Sequence, residues 1–118
     1  MNSDEICFEF VRLCGMLDYE NTNSKGIRRH NKAMHGLRRL SERIVEENAD
    51  VKEIFLRLLE HSDPQVRLSA ATNALRFNLC SKRAEEVLKQ LTTTESFFAF
   101  EAEMALRVWR GEFSENQL

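Results

Sequence analysis

His61-Ser62-Asp63-Pro64-Gln65-Val66-Arg67-Leu68-Ser69-Ala70-Ala71-Thr72-Asn73-Ala74-Leu75 is the stretch that decides the fold. Asp63 is a good N-cap, because its carboxylate can accept from the open N–H groups of a first helical turn. Pro64 fits the first helical position, where its missing N–H would be unpaired in any case. The residues that follow predict a helix over 64–78, with Val66, Ala70, Ala71, Ala74 and Leu75 turned inward. Small side chains there let a neighbouring helix come close. The chain holds one proline and four glycines. So few breakers leave room for long helices and argue against a many-turned β fold.

The same periodicity extends in both directions. Upstream, Ile6, Phe10, Leu13 and Leu17, widened by Cys7, Val11 and Cys14, predict a helix over 4–19 with Ser3 as its cap. The polar run Glu20 to Ser24 ends it. A helix over 25–47 follows, with Ile27, Met34, Leu37, Leu40, Ile44 and Val45 as its apolar side and Asn31 and Ser41 beside that stripe. Gly36 sits in its middle, costs up to about 1 kcal/mol relative to alanine, and suits a close helix approach. Asn48 or Asp50 caps a third helix, which turns Val51, Ile54, Phe55, Leu58 and Leu59 inward. Downstream, Ala84, Val87, Leu88 and Leu91 mark a helix over 82–92 that Thr92-Thr93-Thr94 breaks. A last helix over 96–110 places Phe98, Ala102, Ala105, Leu106 and Trp109 inside, and Gly111 ends it as a C′ residue. Residues 114–118 read as a frayed tail.

Short loops between these helices predict three antiparallel hairpins. Residues 1–118 then form one all-α domain, a right-handed α-α superhelix of about three stacked helical hairpins. A compact helical bundle is the alternative architecture.

The pattern Asp63-Pro64-x-Val66-Arg67, two residues, Ala70-Ala71, two residues, Ala74-Leu75 resembles the second helix of a HEAT repeat. Arg76 stands where many such repeats place glycine. From Asn31 to Phe113 the chain is similar to a family of short bacterial HEAT-like proteins of unknown function. The resemblance is carried by Asn31, the helix opened by Asp63-Pro64, and the closing block from Phe98 to Met104 and Trp109-Arg110-Gly111. It implies a HEAT-like fold and no catalytic residues. It also implies that Arg67 pairs with an acid of the adjacent repeat. Small helical proteins of this kind include immunity proteins, which neutralise secreted bacterial toxins.

The net charge is −2, with 42% apolar and 31% charged residues, a globular balance. The charges are segregated. Residues 1–23 carry Arg12 against Asp4, Glu5, Glu9, Asp18 and Glu20. Residues 24–45 carry Lys25, Arg28, Arg29, Lys32, Arg38, Arg39 and Arg43 against Glu42 alone. Residues 46–118 are mildly acidic again. The N-terminus is acidic where a signal peptide would be basic, and no apolar run is long enough to cross a bilayer. Cys7, Cys14 and Cys80 form no disulfide framework and read as buried thiols of a reducing, cytoplasmic protein.

Catalytic chemistry finds little footing. His30 and His35 point about 140° apart on one helix, and His61 sits at a helix C-terminus, where a positive imidazole is favoured. No metal, phosphate or nucleophile motif occurs, so no cofactor is expected. The expectation is a non-catalytic protein-binding module, most concretely an immunity or inhibitor protein that neutralises a bacterial toxin domain, with no membrane partner. The second helices of the hairpins would line a concave face that presents Arg28, Arg29, Arg38, Arg39, Asn73, Arg76, Glu103 and Arg107 to another protein. The alternative is a nucleic-acid-binding module that uses the basic helix 25–43. Against it stand the absence of aromatic residues for base stacking in that segment and the acidic whole.

Overall fold

A computed structural model describes residues 2–20, 23–47, 49–94 and 97–112. Six helices make up the described residues: α1 Ser3–Cys14, α2 Ser24–Glu47, α3 Val51–Leu59, α4 Pro64–Arg76, α5 Ser81–Thr92 and α6 Phe97–Trp109. No strand occurs among them.

Helix α4 begins as its sequence dictates. Asp63 Oδ1 accepts the Gln65 N–H at 2.9 Å, and Pro64 holds the first position. Val66, Leu68, Ala70, Ala71, Ala74 and Leu75 are all buried. Apolar positions this widely spread around one helix require neighbours on several sides, and α4 packs against each of the other five helices. Helices α1, α3 and α5 touch in that order, as do α2, α4 and α6, and each pair α1–α2, α3–α4 and α5–α6 is in contact. One continuous core results, in which Phe10, Leu37, Ile44, Phe55, Leu88 and Leu106 are among the fully enclosed side chains.

The ends of the helices differ from expectation in instructive ways. Asn2, not Ser3, caps α1: its Oδ1 accepts the Glu5 N–H at 2.9 Å. That helix stops at Cys14, five residues short of the expected end, and Gly15 follows as its C-cap. The Gln65 side chain explains the early stop. Its amide donates to the carbonyl of Cys14 and, at 3.3 Å, to that of Leu17, so carbonyls that a longer helix would satisfy are held by α4. Leu17 remains buried even though it lies beyond the helix.

Helix α4 was expected to reach residue 78 and ends at Arg76. Asn78 adopts φ 54°, and the N–H groups of Asn78 and Leu79 bond back to Leu75 and Ala74 at 3.1 and 2.8 Å. That is a Schellman end with asparagine in the left-handed C′ position, a residue that tolerates it. Gly111 at φ 79° closes α6 in the same way, as expected, with the Glu112 N–H on the Arg107 carbonyl. The hydroxyls of Thr92, Thr93 and Thr94 end α5 by donating to carbonyls three residues back. Asp50 precedes α3 without a side-chain cap bond, and the alternative cap Asn48 lies outside the described residues, as does the 114–118 tail.

Among the described residues Arg67 meets no acid. Its guanidinium donates to the carbonyls of His61 at 2.8 Å and Ser62 at 3.0 Å, and so fastens the α3–α4 turn. His61 Nδ1 accepts the Asp63 N–H at 3.0 Å within the same turn. Ile27, Met34, Val45 and Trp109, expected inside, are exposed.

Gln65→Ala should lower the unfolding free energy by about 1–2 kcal/mol in urea titration, since the Leu17 carbonyl loses its side-chain donor and the Cys14 carbonyl keeps only the Leu17 N–H. Gly36→Ala should raise it by up to about 1 kcal/mol. A Cβ at Gly36 would meet only the Leu13 methyls, at 3.4 and 3.5 Å, an ordinary contact between α1 and α2.

Candidate functional site

Helices α2 and α6 both lean on α4 but part from each other above it. The space between them is a groove of about 730 Å³, within the roughly 300–1,000 Å³ range of ligand and anchor pockets. Its floor is α4, which contributes Ser69, Thr72, Asn73 and Arg76. One wall is α2, through Asn31, Met34, His35 and Arg38 at spacings of three, one and three. The other wall is α6, through Glu101, Met104, Ala105, Val108 and Trp109. Tyr19, from the loop after α1, closes one end. Its ring stands edge-on to His30 at 4.8 Å and to Phe98 at 6.1 Å, and so links α2 to α6.

The polar floor is internally ordered. Asn73 is 5% exposed; its amide donates to the Ser69 carbonyl at 2.8 Å, and its Oδ1 accepts from Arg76 at 2.9 Å. These bonds fix Arg76 across the floor. Glu101 is half-buried in the opposite wall, and burial raises its pKa above the ordinary carboxyl value. The Tyr19 hydroxyl is pushed up by burial and, secondarily, by the nearby Glu101 charge, so it remains a neutral donor.

Of the residues expected on a concave face, Arg38, Asn73 and Arg76 line this groove. Arg28, Arg29 and Arg39 do not; they are exposed elsewhere on α2. Glu103 and Arg107 pair with each other at 3.4 Å on another side of α6. The groove therefore holds three of the eight and leaves Arg28, Arg29, Arg39, Glu103 and Arg107 outside it. The stripe Phe97, Glu101, Met104, Val108, at steps of four, three and four, carries the signal that places Glu101 in the groove instead of Glu103. Tyr19, His35 and Thr72 were missed, because only tertiary packing brings them to the groove.

The thiols and the other imidazoles are occupied with structure. Burial raises the Cys7 thiol and pushes Cys14 up to about 11, away from the reactive thiolate. His30 Nδ1 accepts the Asp18 N–H at 2.9 Å, and burial lowers its pKa. Among the described residues no group of three His, Cys, Asp or Glu side chains could hold a metal ion. No helix among them is long and apolar enough to cross a membrane.

The chain belongs to the family defined as a domain of unknown function, DUF2019, whose pattern matches residues 9–109. That span holds all three sides of the groove. No curated protein and no solved structure gives a match.

Glu101→Gln should make the protein more stable at neutral pH. The folded-state pKa is raised, so the cost of the charged carboxylate is present at pH 7 and is relieved as pH falls through that raised value. The advantage of the variant should therefore shrink toward zero below about pH 4, which urea titrations at the two pH values will show.

Proposed function

We propose that this domain is a non-catalytic protein-binding module of the inhibitor or immunity kind, and that its partner, a bacterial toxin domain, seats in the groove between α2, α4 and α6. One observation carries the reading. Of the eight large apolar side chains left exposed among the described residues, six lie on the two helices that wall the groove: Ile27, Met34 and Val45 on α2, and Phe97, Phe100 and Trp109 on α6; of these, Met34 and Trp109 line the groove itself. Ile27 and Val45 continue the α2 wall stripe one turn before Asn31 and two turns after Arg38. Phe97 and Phe100 stand one turn before Glu101 and Met104. An apolar rim around ordered polar groups is the composition of a recognition surface. Methionine adapts to a partner, and tryptophan and arginine are the residues that most often dominate binding.

The two rows of helices and the opening motif of α4 support a HEAT-type, right-handed stacking as the architecture behind that groove. In such a stack the second helix of each hairpin lines one face, and α2, α4 and α6 are those helices. The wide, shallow opening suits a polypeptide better than a small substrate.

Full-length tagged protein, applied to a nuclease-treated native lysate of its source cells, should retain one stoichiometric polypeptide. Met34→Glu and Trp109→Ala should each weaken that complex at least tenfold in titration calorimetry. Co-expression should suppress the toxicity of the captured polypeptide. Retention that is indifferent to both substitutions would remove the groove from the interface, and a harmless captured partner would end the inhibitor reading.

A further inference from the structure

Helix α2 has two exposed faces, and only one borders the groove. The groove residues Asn31, Met34, His35 and Arg38 span a sector of about 100° around the helix. Lys25, Arg28, Arg29, Lys32, Arg39 and Arg43 fall in a separate sector of about 100°, centred about 120° away from it. All six are exposed. They form a straight ridge about 27 Å long, from Lys25 to Arg43 at 1.5 Å per residue.

The ridge is poor in ion pairs. Elsewhere, several cations meet acids: Arg12 with Glu9, Arg57 with Asp4, Arg83 with Glu86, Lys89 with Glu85 and Arg107 with Glu103. On the ridge only Arg43 does so, with Glu47 at 3.8 Å. Lys25, Arg28, Arg29, Lys32 and Arg39 make no ion pair among the described residues, and residues 24–41 contain no Asp or Glu. From Ser24 to Lys32 no side chain is buried either. This part of α2 adds no buried residue to the core and meets the body through His30, against Tyr19 and Asp18, yet it carries four cations in two and a half turns. Mutual repulsion there disfavours the helix unless an external anion relieves it.

We infer that this ridge is a second docking surface, independent of the groove, for the phosphate backbone of duplex nucleic acid. Four of its six cations are arginines, whose planar donors match phosphate oxygens in pairs. Its length and straightness fit a rod of regularly spaced charge. An α-helix fits the width of a major groove, where phosphates flank it on both sides. The lack of aromatic residues on the ridge selects against single strands, which are held by stacking, and leaves contacts to the backbone without base specificity. The acidic remainder of the molecule does not oppose this. The body extends 37 × 31 × 27 Å, so acids on its far side are screened from the ridge at physiological salt, where the screening length is about 8 Å.

Fluorescence anisotropy of a short labelled DNA duplex, titrated with the full chain at rising salt, tests the assignment. The variant Arg28→Gln/Arg29→Gln is compared with Lys52→Gln/Lys82→Gln, which removes two equally exposed cations off the ridge, and circular dichroism checks that both fold. Affinity should fall steeply with salt. The ridge variant should bind at least about fivefold more weakly, with a salt slope shallower by about 2, the share of two lost phosphate contacts. The off-ridge variant should bind as the parent does. Absence of duplex binding, or an equal loss in both variants, overturns the inference. So does competition by polyglutamate as effective as unlabelled duplex at equal charge, which would make the ridge a site for an acidic protein.

Discussion

Everything in this molecule leans on the near-complete enclosure of α4. A helix that touches five others must be narrow where they approach, and Ala70, Ala71 and Ala74, all fully buried, make it so. Such a helix cannot satisfy its neighbours by bulk, so its polar positions do part of the joining. Gln65 holds the last carbonyls of α1, Ser69 hydrogen-bonds Cys14, and Arg67 fastens the preceding turn. The motif that opens α4 is thus both a helix start and a set of ties to the first hairpin. Buried polar groups with partners specify one arrangement where an all-apolar face would tolerate several.

The groove follows from this enclosure. Because α4 is slim and lies between α2 and α6, the flanking helices both rest on it, and the strip of α4 left between them becomes the floor. That strip is polar because it faces water, yet Asn73 is nearly closed off and spends its amide on Ser69 and Arg76. The floor is therefore set before any partner arrives, which lowers the entropy lost on binding. The walls are less constrained, being built from methionine, tryptophan and one half-buried glutamate that burial disfavours as a charge.

Much of this was legible in the sequence, and the reason is local chemistry. The cap and proline at Asp63-Pro64, the glycine at 111, the threonine run at 92–94 and the alanine stripe each act within a few residues of themselves. They placed the helices and the three-helix face from the chain alone. What was not legible depends on distant partners. The end of α1 is set by Gln65, some fifty residues away, and the partners of Arg67 are carbonyls of its own turn where an acid was expected. The exposure of Ile27, Met34 and Val45 reflects a side of α2 that no neighbouring helix covers. Apolar periodicity reports which side of a helix is apolar, and it cannot say whether that side is covered.

The charge segregation seen in the sequence takes its meaning from the same limit. A helix of 24 residues that buries only Ala33, Leu37, Leu40, Ser41 and Ile44 has most of its circumference left over. The chain divides that remainder by chemistry, with an apolar stripe toward the groove and arginine and lysine on the far side. Only Arg38, tied to Glu42 at 3.6 Å, crosses the division. Were the cations merely solubilising, they would be served as well by interspersed acids, as on α5 and α6, where Lys89–Glu85 and Arg107–Glu103 alternate in sign. Their concentration on the outer side of a helix that buries only five of its residues keeps their repulsion away from the core. It also lets one long helix present two unlike surfaces without either crossing the core between them.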